Sequence, residues 1–140
     1  MSETTAADVR EEPVEETFFD EIGGLPVVEG IVARFYEGVA QDPRLRPMYA
    51  EEDLADGSAA RRLTLFLAQY WGGPSTYSQE RGHPRLRMRH APFAVTPTAR
   101  DAWLSHFRKG LDSAGLTPEQ DAKFWAYVTY AAEFMLNAED

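Results

Sequence analysis

Two histidines and four arginines crowd residues 81–93, RGHPRLRMRHAPF, in a chain of 140 residues that holds three histidines in all. An imidazole can carry a proton, sit as a surface cation or ligate a metal, and its neighbours decide which. Pro84 can open a short helix and Pro92 closes it, so the spacing predicts about two turns over 84–90. His90 then falls in the last turn, where backbone carbonyls lack helical partners. One ring nitrogen can donate to such a carbonyl, which fixes the tautomer and leaves the other nitrogen for a metal. His83, ahead of Pro84, reads as an exposed bystander at the start of that helix.

A bare zinc or iron site needs several protein ligands. No HxxxH or HxxE pairing supplies them to His90, since His83 lies seven positions upstream and His106 belongs to another helix. A single imidazole suffices where a macrocycle provides the remaining in-plane ligands, as in haem. Arg81, Arg85, Arg87 and Arg89 form a positive cluster that would match the propionate carboxylates at a haem edge. The same residues also suit a surface segment whose arginines pair with nearby carboxylates and whose histidine is merely satisfied. Spacing alone leaves both readings open.

Composition narrows the field. The absence of cysteine excludes disulfides, thiol catalysis and thiolate metal sites. A net charge of −9 opposes general nucleic-acid binding, which requires a basic surface. Residues 1–16, MSETTAADVREEPVEE, set six acids against Arg10 alone and hold almost no large apolar residues. They read as a disordered acidic tail ahead of one domain over 17–140. No long apolar run and no signal pattern is present, so no membrane span is expected and the cytoplasm is the expected location.

The elements that must position His90 follow from periodicity. Val28, Ile31, Val32, Phe35 and Val39 recur at three- and four-residue spacing, which predicts an amphipathic helix over 26–41, ended by Asp42-Pro43. Leu63, Phe66, Leu67 and Tyr70 mark a helix over 58–71, capped by Ser58 and stopped at Gly72-Gly73-Pro74. Pro97 starts a helix that runs to 114 with Ala99, Trp103, Phe107 and Leu111 in line. Thr117 caps the last helix, whose wide apolar face holds Phe124, Tyr127, Val128, Ala131, Phe134 and Met135. No β-alternation survives, so the fold class is all-α. Residues 72–96 read as mostly irregular chain, far longer than the roughly 2–8 residues that join helices in a bundle. Their Tyr77, Leu86, Met88 and Phe93 argue against disorder, which leaves function as the reason for the length.

RFYEGVAQDPRLRPMY, FLAQYWGGPSTYSQERGHPRLRMRHAPF and RDAWL, in that order, closely resemble the group II truncated haemoglobins over residues 18 to 137. The resemblance implies a truncated globin, two helices packed over two around a b-type haem, with His90 as the proximal iron ligand. It places Tyr36, Tyr49 and Trp103 as polar donors beside the bound gas. Ala59, Arg62, Leu63 and Phe66 would lie on the helix facing the ligand, with small Ala59 where ordinary globins carry a distal histidine. Leu63, Phe66 and Leu67 would wall the haem, Tyr77, Met88 and Phe93 would neighbour it, and Arg81 and Arg87 would face its propionates.

The expected function is binding of oxygen and other diatomic gases at a pentacoordinate iron, with slow oxygen release. Storage, scavenging or chemistry with reactive oxygen and nitrogen species would suit such a protein. An alternative is a haem enzyme with peroxidase-like or nitric oxide dioxygenase activity. It would use an external reductase, because no nicotinamide or flavin motif occurs in the chain. A third reading is a cofactor-free helical interaction module, and a homodimer through unused apolar helix faces is a further expectation.

Overall fold

The computed structural model describes residues 16–83 and 93–140. The acidic tail up to residue 15 and the segment 84–92, with His90, Arg85, Arg87, Met88 and Arg89, lie outside the described residues. Those described form helices α1 (Phe18–Glu21), α2 (Leu25–Val39), α3 (Glu51–Ala55), α4 (Ser58–Tyr70), α5 (Thr76–Arg81), α6 (Pro97–Asp112) and α7 (Pro118–Phe134), with a 3-10 turn at Arg46–Met48. No strand occurs among them.

The long helices start where backbone chemistry starts them. Pro26 sits in the first turn of α2 and Pro97 in that of α6, where a missing N–H costs nothing. Thr96 accepts from the backbone of Ala99 at 3.1 Å. Thr117 and Gln120 cap each other reciprocally, at 3.1 and 3.0 Å. The start of α4 departs from expectation. Gly57 is the N-cap in a left-handed conformation, φ +83°, and Asp56 takes both the Ser58 backbone N–H and hydroxyl, at 2.8 and 2.6 Å. Ser58 is therefore the first helical residue, not the cap.

The connections also hold more helix than spacing showed. The region after Asp42 contains the 3-10 turn and α3, and residues 76–81 are helical. Helix α5 is held by polar bonds that periodicity cannot register. Gln69 on α4 accepts from the Ser78 backbone at 2.9 Å and donates to its hydroxyl at 2.7 Å.

The core forms where α2 packs on α6 and α4, and α6 on α7. Phe35, Phe107 and Phe124 are wholly buried there. Helix α2 meets α6 closely enough that a β-carbon at Gly110 would stand 2.7 Å from the Ile31 carbonyl oxygen. Gly73, after α4, is equally confined, with a β-carbon 2.9 Å from both the Ala68 carbonyl and the Phe19 ring. That explains the glycines of QYWGGP: they let α1 dock against the end of α4, where the Phe19 N–H bonds the Trp71 carbonyl at 2.9 Å.

Two glycine substitutions should therefore have opposite signs. Gly110→Ala meets backbone that cannot swing aside and should cost about 1–3 kcal/mol. Gly30→Ala, in α2 with nothing near its β-position, should stabilise by about 0.5–1 kcal/mol. Urea unfolding of the two variants beside the parent checks both signs.

Candidate functional site

Burial of Phe35 against α6 turns the next residue of α2, Tyr36, to the side of the core. On α6, Trp103 packs edge-on to Phe35, centroids 5.0 Å apart, and stacks on Phe107 at 5.3 Å. Tyr49 arrives from the 3-10 turn, which ends with its N–H on the Arg46 carbonyl at 3.1 Å. Its ring stands nearly perpendicular to that of Tyr36, centroids 5.6 Å apart. Tyr36 and Trp103 both stand beside the Tyr49 hydroxyl. Burial pushes the Tyr36 phenol well above its ordinary pKa, with the Tyr49 ring and hydroxyl adding to the shift. Burial likewise raises Tyr49, against the opposing effect of the polar hydrogens of Trp103 and Tyr36 beside it.

These three side chains border a cavity of about 420 Å3. Helix α4 lines it with Ala59, Arg62, Leu63, Phe66 and Leu67. The Arg62 guanidinium is half-buried and held 3.0 Å from the Asp53 carboxylate of α3. Tyr77 of α5 is buried against the Phe66 ring, centroids 5.6 Å apart, and Arg81 stands at the exposed end of the same helix. The remaining wall is α7, through Tyr127, Val128, Ala131 and Met135. Tyr127 is fixed by stacking on Tyr70 at 3.8 Å.

Ten of the expected site residues thus border one cavity: Tyr36, Tyr49, Ala59, Arg62, Leu63, Phe66, Leu67, Tyr77, Arg81 and Trp103. Phe93 does not. It lines a smaller neighbouring cavity of about 80 Å3 that shares Tyr49, Trp103 and Met135 with the first. His90, Arg87 and Met88 lie outside the described residues, and His83 is exposed. The α7 wall was visible in sequence only as an apolar face, without a sign of which part would open to a cavity. Asn137 gave no signal at all. Its side chain accepts from the Val95 N–H at 2.7 Å and donates to the Phe93 carbonyl at 3.0 Å, and its own N–H bonds the Val95 carbonyl at 3.1 Å.

The cavity suits a flat apolar macrocycle with acidic edge groups. Its size falls within the roughly 300–1,000 Å3 of small-molecule sites, its walls are mainly apolar, and its polar donors gather at one side. Arg62 and Arg81 add positive charge. Among the described residues, no group of three or more carboxylates and histidines could hold a bare metal ion.

Residues 17–137 match the family model of bacterial-like globins. Over 120 residues, covering 84% of this chain and 89% of the relative, the sequence is 40% identical to group 2 truncated hemoglobin YjbI of Bacillus subtilis. The chain belongs to the bacterial-like globin family, as a group II truncated haemoglobin. Its two-over-two helical fold is shared with solved globins. A thermostable hemoglobin from Thermobifida fusca is 52% identical with a TM-score of 0.83, over 87% of this chain and 98% of that one. A truncated oxygen-avid haemoglobin from Bacillus subtilis is 38% identical with a TM-score of 0.79, over 87% and 100%. Haem is the cofactor that this globin family implies, and the cavity residues fit it.

The raised phenols give the globin a definite alkaline response. Unfolding returns Tyr36 and Tyr49 to the ordinary value of about 10. Their contribution to stability is complete below that pH and is lost as pH rises from there towards the folded values, because the unfolded chain releases protons that the folded one retains. Melting temperatures taken from pH 8 to pH 11 should therefore fall, and the fall should be shallower in Tyr36→Phe. An unchanged slope in that variant would contradict the assignment.

Proposed function

We propose that this globin binds oxygen, and other diatomic gases, reversibly at haem b ligated by His90, and releases oxygen slowly. The haem supplies a ferrous iron with one coordination position for a gas. His90 is the one histidine of the RHAPF motif, and its segment leaves and rejoins the described chain beside the cavities. Arg81 precedes it on the larger cavity and Phe93 follows it on the smaller.

The observation that carries the reading is the grouping of Tyr36, Tyr49 and Trp103 on one cavity, with the Tyr36 and Tyr49 rings edge to face. A phenolic oxygen has two acceptor sites and one proton. In this reading Tyr36 and Trp103 donate to the Tyr49 oxygen, which leaves the Tyr49 proton to point into the cavity. A bound gas whose outer atom carries negative charge meets that proton as a donor already in place. Two bonds accepted by Tyr49 polarise its hydroxyl and strengthen it as a donor. Arg62, held by Asp53, keeps a positive charge on the same side.

Firm retention suits scavenging, storage or chemistry with reactive oxygen and nitrogen species better than delivery. The relative described as oxygen-avid is consistent with this reading.

Two outcomes test it. Single Trp103→Phe and Tyr49→Phe variants should release oxygen faster in stopped-flow displacement, each by about tenfold or more, the equivalent of one charge-assisted hydrogen bond. Unchanged rates in both would remove the donors from the mechanism. His90→Ala should fail to give the absorption spectrum of a five-coordinate histidine-ligated ferrous haem after reconstitution, and added imidazole should restore it. A parental spectrum in that variant would assign the iron to another ligand.

A further inference from the structure

Asp42 and His106 form a buried polar pair outside the cavity. Asp42 follows α2 and is 6% exposed. Its carboxylate accepts from the Arg44 side chain at 3.0 and 2.8 Å and from the Arg44 backbone at 2.9 Å. The same carboxylate lies 2.8 Å from His106 Nε2 on α6. Chiefly through the Arg44 bonds, and further through His106, Asp42 is held ionised well below the usual carboxylate range. A carboxylate only accepts, so Nε2 carries the donated proton. The other ring nitrogen, Nδ1, is buried without a partner and faces Gly38, where any β-carbon would overlap the imidazole. The ring is therefore confined on the side of α2 and held by Asp42 on the other nitrogen.

The pair stands where three segments meet. Gly38 lies two residues after Tyr36 on α2, and His106 lies three residues after Trp103 on α6. The Asp42 carbonyl accepts from the backbones of Leu45 and Arg46, at 3.0 and 2.9 Å, beginning the turn that delivers Tyr49. Tyr36, Tyr49 and Trp103 are thus all carried by chain that is tied at this one point.

We infer that Asp42 and His106 are positioning residues for gas binding: their bond sets α2, α6 and the Tyr49 turn in the register that brings Tyr36, Tyr49 and Trp103 together on the cavity. This rests on the gas-binding reading above. Packing of Phe35 on Trp103 tolerates small displacements, because dispersion and apolar burial are not directional. Hydrogen bonds weaken steeply once their angles fall towards 120°. A slip of α6 along α2 would therefore spoil the donor set while leaving the core assembled.

The test uses the haem-loaded globin. His106→Leu removes the donor at similar volume, whereas His106→Gln returns an amide N–H near the Nε2 position. Oxygen dissociation rate, the C–O stretching frequency of the carbon monoxide form and melting temperature are read on each. His106→Leu should release oxygen severalfold faster, up to about tenfold, with a shifted or split C–O band, and His106→Gln should recover most of both. In a Trp103→Phe/Tyr49→Phe background, His106→Leu should add no further acceleration, as expected for residues acting through one another. Should His106→Leu not fold, Asp42→Asn carries the same readouts. A lowered melting temperature with parental rate and C–O band would show a purely structural pair and overturn the inference, as would equal acceleration in both backgrounds. If Trp103→Phe and Tyr49→Phe themselves leave oxygen release unchanged, the donor reading falls first and this one with it.

Discussion

The structure depends on how closely α2 can approach α6. Two glycines, one on each helix, set that distance: Gly110 lies against the Ile31 carbonyl and Gly38 against the His106 ring. Only at this separation is Phe35 wholly enclosed beside Trp103 and Phe107. Enclosing Phe35 brings its neighbour Tyr36 and its packing partner Trp103 within reach of a common acceptor. A β-carbon at Gly110 would meet the Ile31 backbone and move helix axes, and the loss would fall first on the hydrogen bonds, which tolerate displacement least. The aromatic core and the polar side of the cavity are therefore one construction. The core fixes the distance, and the donors depend on it.

That dependence explains how polar groups can stand in a largely apolar cavity. A hydroxyl taken out of water without a partner costs about 1–3 kcal/mol by mutational measures. Tyr36, Tyr49 and Trp103 limit that cost by standing together, with polar atoms beside one another. Apolar side chains of α4 and α7 surround them, and a wall of low polarity strengthens the hydrogen bonds made beside it. Arg62, the charged residue that α4 adds to the lining, is bonded to Asp53.

Much of this was legible in sequence, and the limits have physical causes. Three- and four-residue spacing located α2, α4, α6 and α7, and proline and threonine placed most of their starts. Those signals are local, so one chain suffices to read them. Ser58 misled because it stands where a cap should, while the preceding Asp56-Gly57 provides the acceptor and the left-handed turn. Helix α5 escaped notice because it is anchored by Gln69 and Ser78, a polar pair across two elements. Periodicity showed that Val128 and Ala131 are buried but not that they face a cavity, since core and pocket lining share one stripe. Trp103 belongs to both at once, packing on Phe35 and lining the cavity. Its role was carried by resemblance, not by spacing. The Asp42–His106 bond joins residues 64 positions apart and left no mark in the sequence.

The attachments of the cavity to the rest of the fold share a chemical character distinct from its lining. Its lining is mostly apolar, and apolar burial is indifferent to small shifts. Each segment that delivers a lining residue from a loop or helix end is instead fixed by directional bonds. Asp42 receives Arg44 and His106 beside the turn to Tyr49. Gln69 holds α5, which carries Tyr77 and ends at Arg81. Asn137 fastens Phe93 and Val95 to the end of the chain. Residues 84–92 therefore join described chain that is anchored by side-chain hydrogen bonds near both of their ends, from α5 on one side and the C-terminal residues on the other. Apolar contact supplies a place for a large flat ligand, but it cannot fix orientation. The peripheral polar bonds can, and they explain why a small helical protein with an ordinary core can hold three donors in one alignment.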